Sequence, residues 1–224
     1  MQIMMLGFKM NCMRQVAKNT ILFGMLLLLP LPLHAEEEIP AVFTDEVARV
    51  VDGNVLLLKS GIQVRLIGVR SPSPYDRNWN ERLKRDLALQ KGGLGESAEA
   101  VKEFAKYLVE GKTVRIETDP AQIALKHRDR EERLFAYVWF TAPVFPEAPD
   151  WLVIDPKVSG TEFRYDALLN ACLIRAGFAA MDKTWPFSFG SKFSALESEA
   201  RENGRGLWER EEDNFSEEEE AQKN

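Results

Sequence analysis

At 224 residues, 45% hydrophobic and 29% charged, the chain has room for one well-cored domain with appendages, and its make-up excludes a collagen-like, low-complexity or wholly disordered protein. The formal net charge is −6, but it is unevenly spread, so the acidic balance says little about the charge of a partner. Two cysteines and two histidines are too few for a disulfide framework, and they argue against a histidine-based zinc site or a Ser-His-Asp triad.

Residues Met1 to Ala35 read as a secretory signal: Lys9, Arg14 and Lys18 with no acid among them, an apolar run from Ile21 to Leu33, and a cut after Ala35. Pro30 and Pro32 interrupt the run, which is shorter than the ~20 residues of a membrane span. The expected product is exported, periplasmic or secreted. Its only cysteine is Cys172, on an apolar helical face, and its only histidine is His127. Loss of the signal leaves 26 basic residues against 35 acidic ones. From Glu209 onward there are eight acids and two bases, and Glu36 to Glu38 add three more acids, so Ile39 to Trp208 is close to neutral. The expected organisation is a short N-terminal extension (36–44), one domain (45–208) and an acidic disordered tail (209–224).

Val47, Val50 and Val51 lead into Asp52-Gly53-Asn54, a hairpin signal in which glycine and asparagine suit the positive φ of tight turns. Val55 to Leu58 and the alternating Ile62 to Gly68 form the next two strands, separated by Lys59-Ser60-Gly61, and Pro72 and Pro74 stop strand structure. Tyr75 to Gly95 is polar and of mixed charge, and reads as a mobile flap or surface insertion (75–94) with at most a helical turn in ERLKRDLALQ. Helical spacing of Ala98, Val101, Phe104, Ala105 and Leu108 predicts a helix over 96–109 closed by Gly111. A strand over 113–117, a charged loop over 119–132 and an aromatic-rich strand over 134–140 follow.

Four prolines between Thr141 and Phe163 predict an extended excursion. Helices are predicted over 165–176, ending at Gly177, and over 193–203, with Leu207 and Trp208 pinning the end to the core. This order favours a closed or partly closed small β-barrel with packed helices.

Six segments, VARVVDGN, VRLIGVRSP, GESAEAVKEFAKYLVEGKTVRIE, EERLFAYVWF, LLNACLIRAGFA and LESEARENGRGLW, occur in an order that resembles the staphylococcal nuclease (thermonuclease) family from about Val47 to Trp208. The resemblance implies an α+β, mainly β fold, a five-stranded OB-type barrel with three packed helices. It also implies descent from calcium-dependent phosphodiesterases of DNA and RNA, whose in-line attack by water needs a cation, a general-base carboxylate and arginines on the phosphate.

By that resemblance the second aspartate of the hairpin, a metal ligand, falls on Asn54, the metal-ligand aspartate after the third strand on Arg70, the threonine carbonyl on Ser71 and the general-base glutamate on Ser73. The phosphate-contact arginines fall on Arg65 and Arg133; Asn170, Arg175 and Gly177 match structural positions. Calcium takes several oxygen ligands, whereas a guanidinium about 4 Å away repels even a unit positive charge by roughly 4 kcal/mol at an effective dielectric of 20. Serine does not take a proton from water at neutral pH. No metal or other cofactor is therefore expected. Arg65, Arg70 and Arg133 form a candidate anion site, with Trp79 and Trp151 as candidate aromatic contacts, unless Arg70 pairs with Asp52 or a flap acid and the site is a structural relic.

Three functions stay open at this point. One is a non-catalytic module that binds an anion such as a nucleic-acid backbone, or an envelope protein. Another is a nuclease that still works, either weakly or with a relocated carboxylate and another metal, for which Asp76, Asp86 and Glu96 are the acids at hand. The third is a structural role in the cell envelope.

Overall fold

The structure is a computed structural model that describes residues 40–142, 147, 149–154 and 165–209. The expected secretory signal, residues 36–39, most of the Pro-rich excursion and the tail beyond 209 lie outside the described residues.

Strand β1 (Val42–Asp52) is long enough to serve two partners. Its first half, Val42 to Glu46, pairs antiparallel with β5 (Thr113–Glu117), and its second half with β2 (Val55–Leu58). The register slips between Val47 and Arg49, so the core residues Val47 and Val50 stand three apart rather than two. Strand β3 (Gln63–Leu66) pairs antiparallel with β2 on one edge and parallel with β6 (Leu134–Ala142) on the other, and β6 returns to β5. The circuit β3-β2-β1-β5-β6-β3 is a closed five-stranded barrel in a mixed α+β fold. Val47, Leu56, Val64, Ile116, Leu134 and Val138 fill it, all fully buried.

The turn between β1 and β2 falls on Gly53 and Asn54 as expected, but neither has a positive φ. Gly53 answers a packing demand instead: a Cβ there would lie 2.7 Å from the Val101 Cγ1 and 2.9 Å from the Ser71 Oγ. The Val101 contact comes from helix α2 (Gly95–Val109), which lays Ala98, Val101, Ala105 and Leu108 on the barrel.

Two predicted elements are corrected. The polar connection after Pro74 is not a loop: Arg77–Leu87 forms helix α1, capped by the Asp76 carboxylate accepting from the Trp79 N–H at 2.8 Å. Leu83 is fully buried and packs with Leu89, Leu94, Ala180, Leu207 and Trp208, a second small core that gives the helix its reason to form. The helix predicted from 165 starts later. Tyr165–Leu168 is strand β7 on the outer edge of β6, and helix α3 runs only over Leu169–Arg175. A short ladder joins β4 (Val69–Arg70) to β8 (Ala180–Met181), and α4 (Gly190–Glu202) closes the described part with a 3-10 turn at Gly206–Trp208. Gly177, after α3, has φ +75, and a Cβ there would meet the Arg205 carbonyl oxygen at 2.1 Å. Among the described residues no helix is long and apolar enough to cross a membrane.

The barrel seam is sealed by Asn170 of α3, which is wholly buried. Its Oδ1 accepts from the Val138 N–H at 3.0 Å, and its Nδ2 donates to the Ile67 carbonyl at 2.9 Å and the Ala136 carbonyl at 3.2 Å. Replacing it orphans buried backbone groups, each costing about 1–3 kcal/mol. Asn170→Ala is expected to destabilise the fold by roughly 2–4 kcal/mol, seen as a lower denaturant midpoint at unchanged slope; a loss below about 1 kcal/mol would contradict this role.

Candidate anion-binding site

Arg65 stands on β3 directly opposite Phe135 of β6, with its guanidinium 5.5 Å from that ring. Arg133 enters the same strand one residue before it begins. Between them lies a turn, from Asp129 to Arg133, closed by the Asp129 N–H donating to the Arg133 carbonyl at 3.0 Å. The Asp129 Oδ1 accepts from the N–H groups of Glu131 and Arg133, each at 3.0 Å, so the carboxylate shapes the turn that presents Arg133.

The other oxygen of Asp129 joins the two arginines. Its Oδ2 accepts from Arg133 Nε at 2.7 Å and Nη2 at 2.6 Å, and from Arg65 Nη1 at 3.3 Å. Sharing one oxygen puts the nearest nitrogens within about 6 Å, which one phosphate with bonds of about 2.7–2.9 Å can span. The side chains of Arg65 and Arg133 keep 18% and 22% of their surface exposed, whereas that of Asp129 keeps 1%. Burial alone would raise the Asp129 pKa, but the Arg133 side-chain and backbone hydrogen bonds, the Arg133 charge and the Arg65 bond outweigh it and hold the carboxyl below its usual range. Two further contacts complete the set: Arg65 Nη2 to Asp182 Oδ2 at 3.5 Å, and Arg133 Nη2 to the exposed Glu131 at 2.6 Å.

Arg70 is not with them. It pairs with Asp86 of α1 at 2.5 Å and lies 5.1 Å from the Trp79 ring. The expected three-arginine site is thus corrected to a pair, with the third held by a flap acid, though neither by Asp52 nor by Asp76. The Arg70 hydrogen bond is the main reason the Asp86 carboxyl lies below its usual range.

Helix α1 also covers the other positions where the family resemblance places metal and base chemistry. The Trp79 indole N–H donates to the Ser71 carbonyl at 2.8 Å. Asn80 accepts from the Ser73 N–H and donates to the Ser73 carbonyl, both at 2.8 Å, leaving Ser73 buried. The Asn54 Nδ2 donates to the Val69 carbonyl at 3.0 Å. With a guanidinium at 70 and the Ser71 carbonyl engaged, this donor set does not fit calcium. Among the described residues no three His, Cys, Asp or Glu side chains converge to hold a metal ion. Trp79 and Trp151 are half-buried rather than free: Trp79 makes the indole bond above, and Trp151 packs edge-on against Phe104 at 5.0 Å.

A model of the staphylococcal nuclease homologue family matches residues 63–210, more than half of the chain. No curated protein matches it.

Asp129 is the functional residue that the sequence reading passed over; within KHRDREER nothing but its place four residues before Arg133 sets it apart. Because its folded pKa is depressed, its stabilising contribution is fully present above the unfolded value of about 3.9 and is lost as pH falls through the lower folded value. Asp129→Asn is expected to cost about 3 kcal/mol at neutral pH, the lower end for breaking a buried ion pair because both arginines keep some water contact. The variant's stability should then fall less steeply than that of the wild type in acid. Parallel pH–stability profiles by denaturant titration would refute this.

Proposed function

This chain belongs to the staphylococcal nuclease homologue family, and from that membership we propose that it is an exported module that binds a nucleic-acid backbone through Arg65 and Arg133 and has lost calcium-dependent phosphodiester hydrolysis. The observation that carries the reading is the convergence of both arginines on one oxygen of Asp129. That oxygen holds the two guanidinium groups side by side, so that their remaining N–H donors can offer charge-assisted bonds to one phosphate.

The resting site is charge-compensated, and its contacts differ in strength. Glu131 has a 65% exposed side chain, and Asp182 sits at 3.5 Å. Exposed ion pairs contribute little, so a phosphate diester exchanges for Glu131, while the buried Asp182 stays beside Arg65. Asp129, buried and tied into the turn, keeps both guanidinium groups in place throughout. Binding needs no metal under this reading. Hydrolysis needs a base and a cation, and Ser73, Arg70 and the occupied Ser71 carbonyl supply neither. Export is part of the proposal and rests on the character of Met1 to Ala35.

Purified mature protein is expected to leave single- and double-stranded DNA uncut in calcium or in chelator. It should bind single-stranded DNA with an affinity that falls as salt rises. Arg65→Ala and Arg133→Ala should each weaken binding about ten- to a hundredfold, the range for a charge-assisted bond worth roughly 1.5–3 kcal/mol. Chelator-sensitive cleavage abolished by Arg133→Ala would overturn the non-hydrolytic reading, and binding indifferent to both arginines would overturn the clamp. For export, mass spectrometry of the protein recovered outside the cytoplasm should show a chain beginning at Glu36; a chain retaining Met1 would count against it.

A further inference from the structure

Arg70 occupies a position different from that of a surface ion pair with no other prospects. We infer that it is a third phosphate-contacting arginine held in reserve, latched by Asp86 and Trp79 of helix α1, and that release of this latch strengthens backbone binding; the inference rests on the binding function proposed above.

The backbone brings Arg70 close to the working pair. In the β4–β8 ladder Arg70 faces Ala180 and Val69 faces Met181, and the contact continues with the Asp182 N–H donating to the Gly68 carbonyl at 3.0 Å. Asp182 is the residue whose carboxylate meets Arg65. Arg70 therefore stands two residues along a short ladder from a direct partner of Arg65, a distance of about 7 Å along a strand, within the reach of a long flexible side chain.

What keeps Arg70 away is confined to α1. Asp86 takes its Nη2 at 2.5 Å, and the Trp79 ring lies beneath the guanidinium at 5.1 Å. The Asp86 side chain is 45% exposed, so water and salt compete for the pair and its net worth is small. Helix α1 does not depend on it for anchorage. Leu83 is fully buried, Asn80 makes two backbone bonds to Ser73, and the Trp79 indole bonds the Ser71 carbonyl. The latch can open while the helix stays. A polyanion presents several phosphates to the same guanidinium and gains from each counterion released, which a lone carboxylate does not.

The test is fluorescence anisotropy of a fluorescein-labelled single-stranded oligodeoxynucleotide titrated with the mature protein across a range of salt concentrations. Asp86→Asn keeps the shape and removes the charge that holds Arg70. It should bind several-fold more tightly at low salt, with a log–log salt slope steeper by about 0.7, the increment for one further phosphate contact on a single strand. Glu81→Gln makes the same charge change at another exposed position of α1 and controls for the general loss of repulsion. In Arg70→Ala/Asp86→Asn the gain should vanish. A gain no larger than that of Glu81→Gln, or one that survives removal of Arg70, overturns the latch. Wild-type binding indifferent to Arg65→Ala and Arg133→Ala overturns the clamp instead, so the two failures are told apart. Absence of binding in the wild type and in Asp86→Asn alike overturns both. Thermal unfolding of Asp86→Asn close to that of the wild type confirms that the helix is retained, as its independent anchors require.

Discussion

Closure of the barrel by the parallel pairing of β3 with β6, Val64 to Leu134, Arg65 to Phe135 and Leu66 to Ala136, is the constraint from which the site follows. Parallel neighbours need a long crossover, and here α2, β5 and the charged loop run between the two strands. That loop has to come back to the start of β6 beside the start of β3, which delivers its last turn, with Asp129 and Arg133, to Arg65. The seam is sealed from within by Asn170, whose side chain reaches backbone groups at Ile67, Ala136 and Val138. A slip of one residue along this seam would turn Arg65 to the opposite face, so the register that packs Val64 and Leu66 inward is also what aims the guanidinium.

The segment from Arg70 to Ser73 is governed by helix α1. Where the family resemblance places metal and base chemistry, the present chain has a guanidinium, a neutral amide and two serines, a set without a carboxylate. A loop carrying backbone polar groups near a core needs partners for them, and α1 supplies them: an indole for the Ser71 carbonyl and a side-chain amide for both backbone groups of Ser73. Asp86 then compensates the one unbalanced charge that Arg70 brings. The residues of this segment and the helix that covers it thus fit together physically, side chains of α1 holding the backbone groups of Ser71 and Ser73.

Much of the barrel was legible in the sequence because its signals are local. Alternation marks β3, helical spacing marks α2, and Asp52-Gly53-Asn54 marks the hairpin, although close packing by Val101 rather than a positive φ explains the glycine. Elements decided by tertiary partners were not legible. Leu168, Leu169, Cys172, Leu173 and Ala176 share a helical stripe, and only the open edge of β6 tells that Leu168 belongs to a strand. Helix α1 reads as a charged connection because its apolar face is narrow, essentially Leu83 with Trp79 and Leu87, and its worth depends on a distant second core at Leu207 and Trp208. The arginines of the site were found through family resemblance, while Asp129 was hidden in a run of alternating charge that has the look of a solvated loop.

Asp129 also explains how two arginines can remain poised without a metal or a substrate. A guanidinium left alone at the barrel wall would either fold into solvent or lose hydration without compensation. One buried carboxylate prevents both outcomes, because its Oδ1 is committed to the turn and its Oδ2 to the two cations. The oxygen that binds them cannot move away without undoing the turn, so the pair is preorganised at the cost of one charge rather than two. Glu131 and Asp182 bring two further negative charges against the one positive charge that remains, through an exposed contact and a long one. The cluster is therefore unequal in its bonds: the carboxylate tied into the turn holds the geometry of both guanidinium groups, and the exposed Glu131 contact adds least to it.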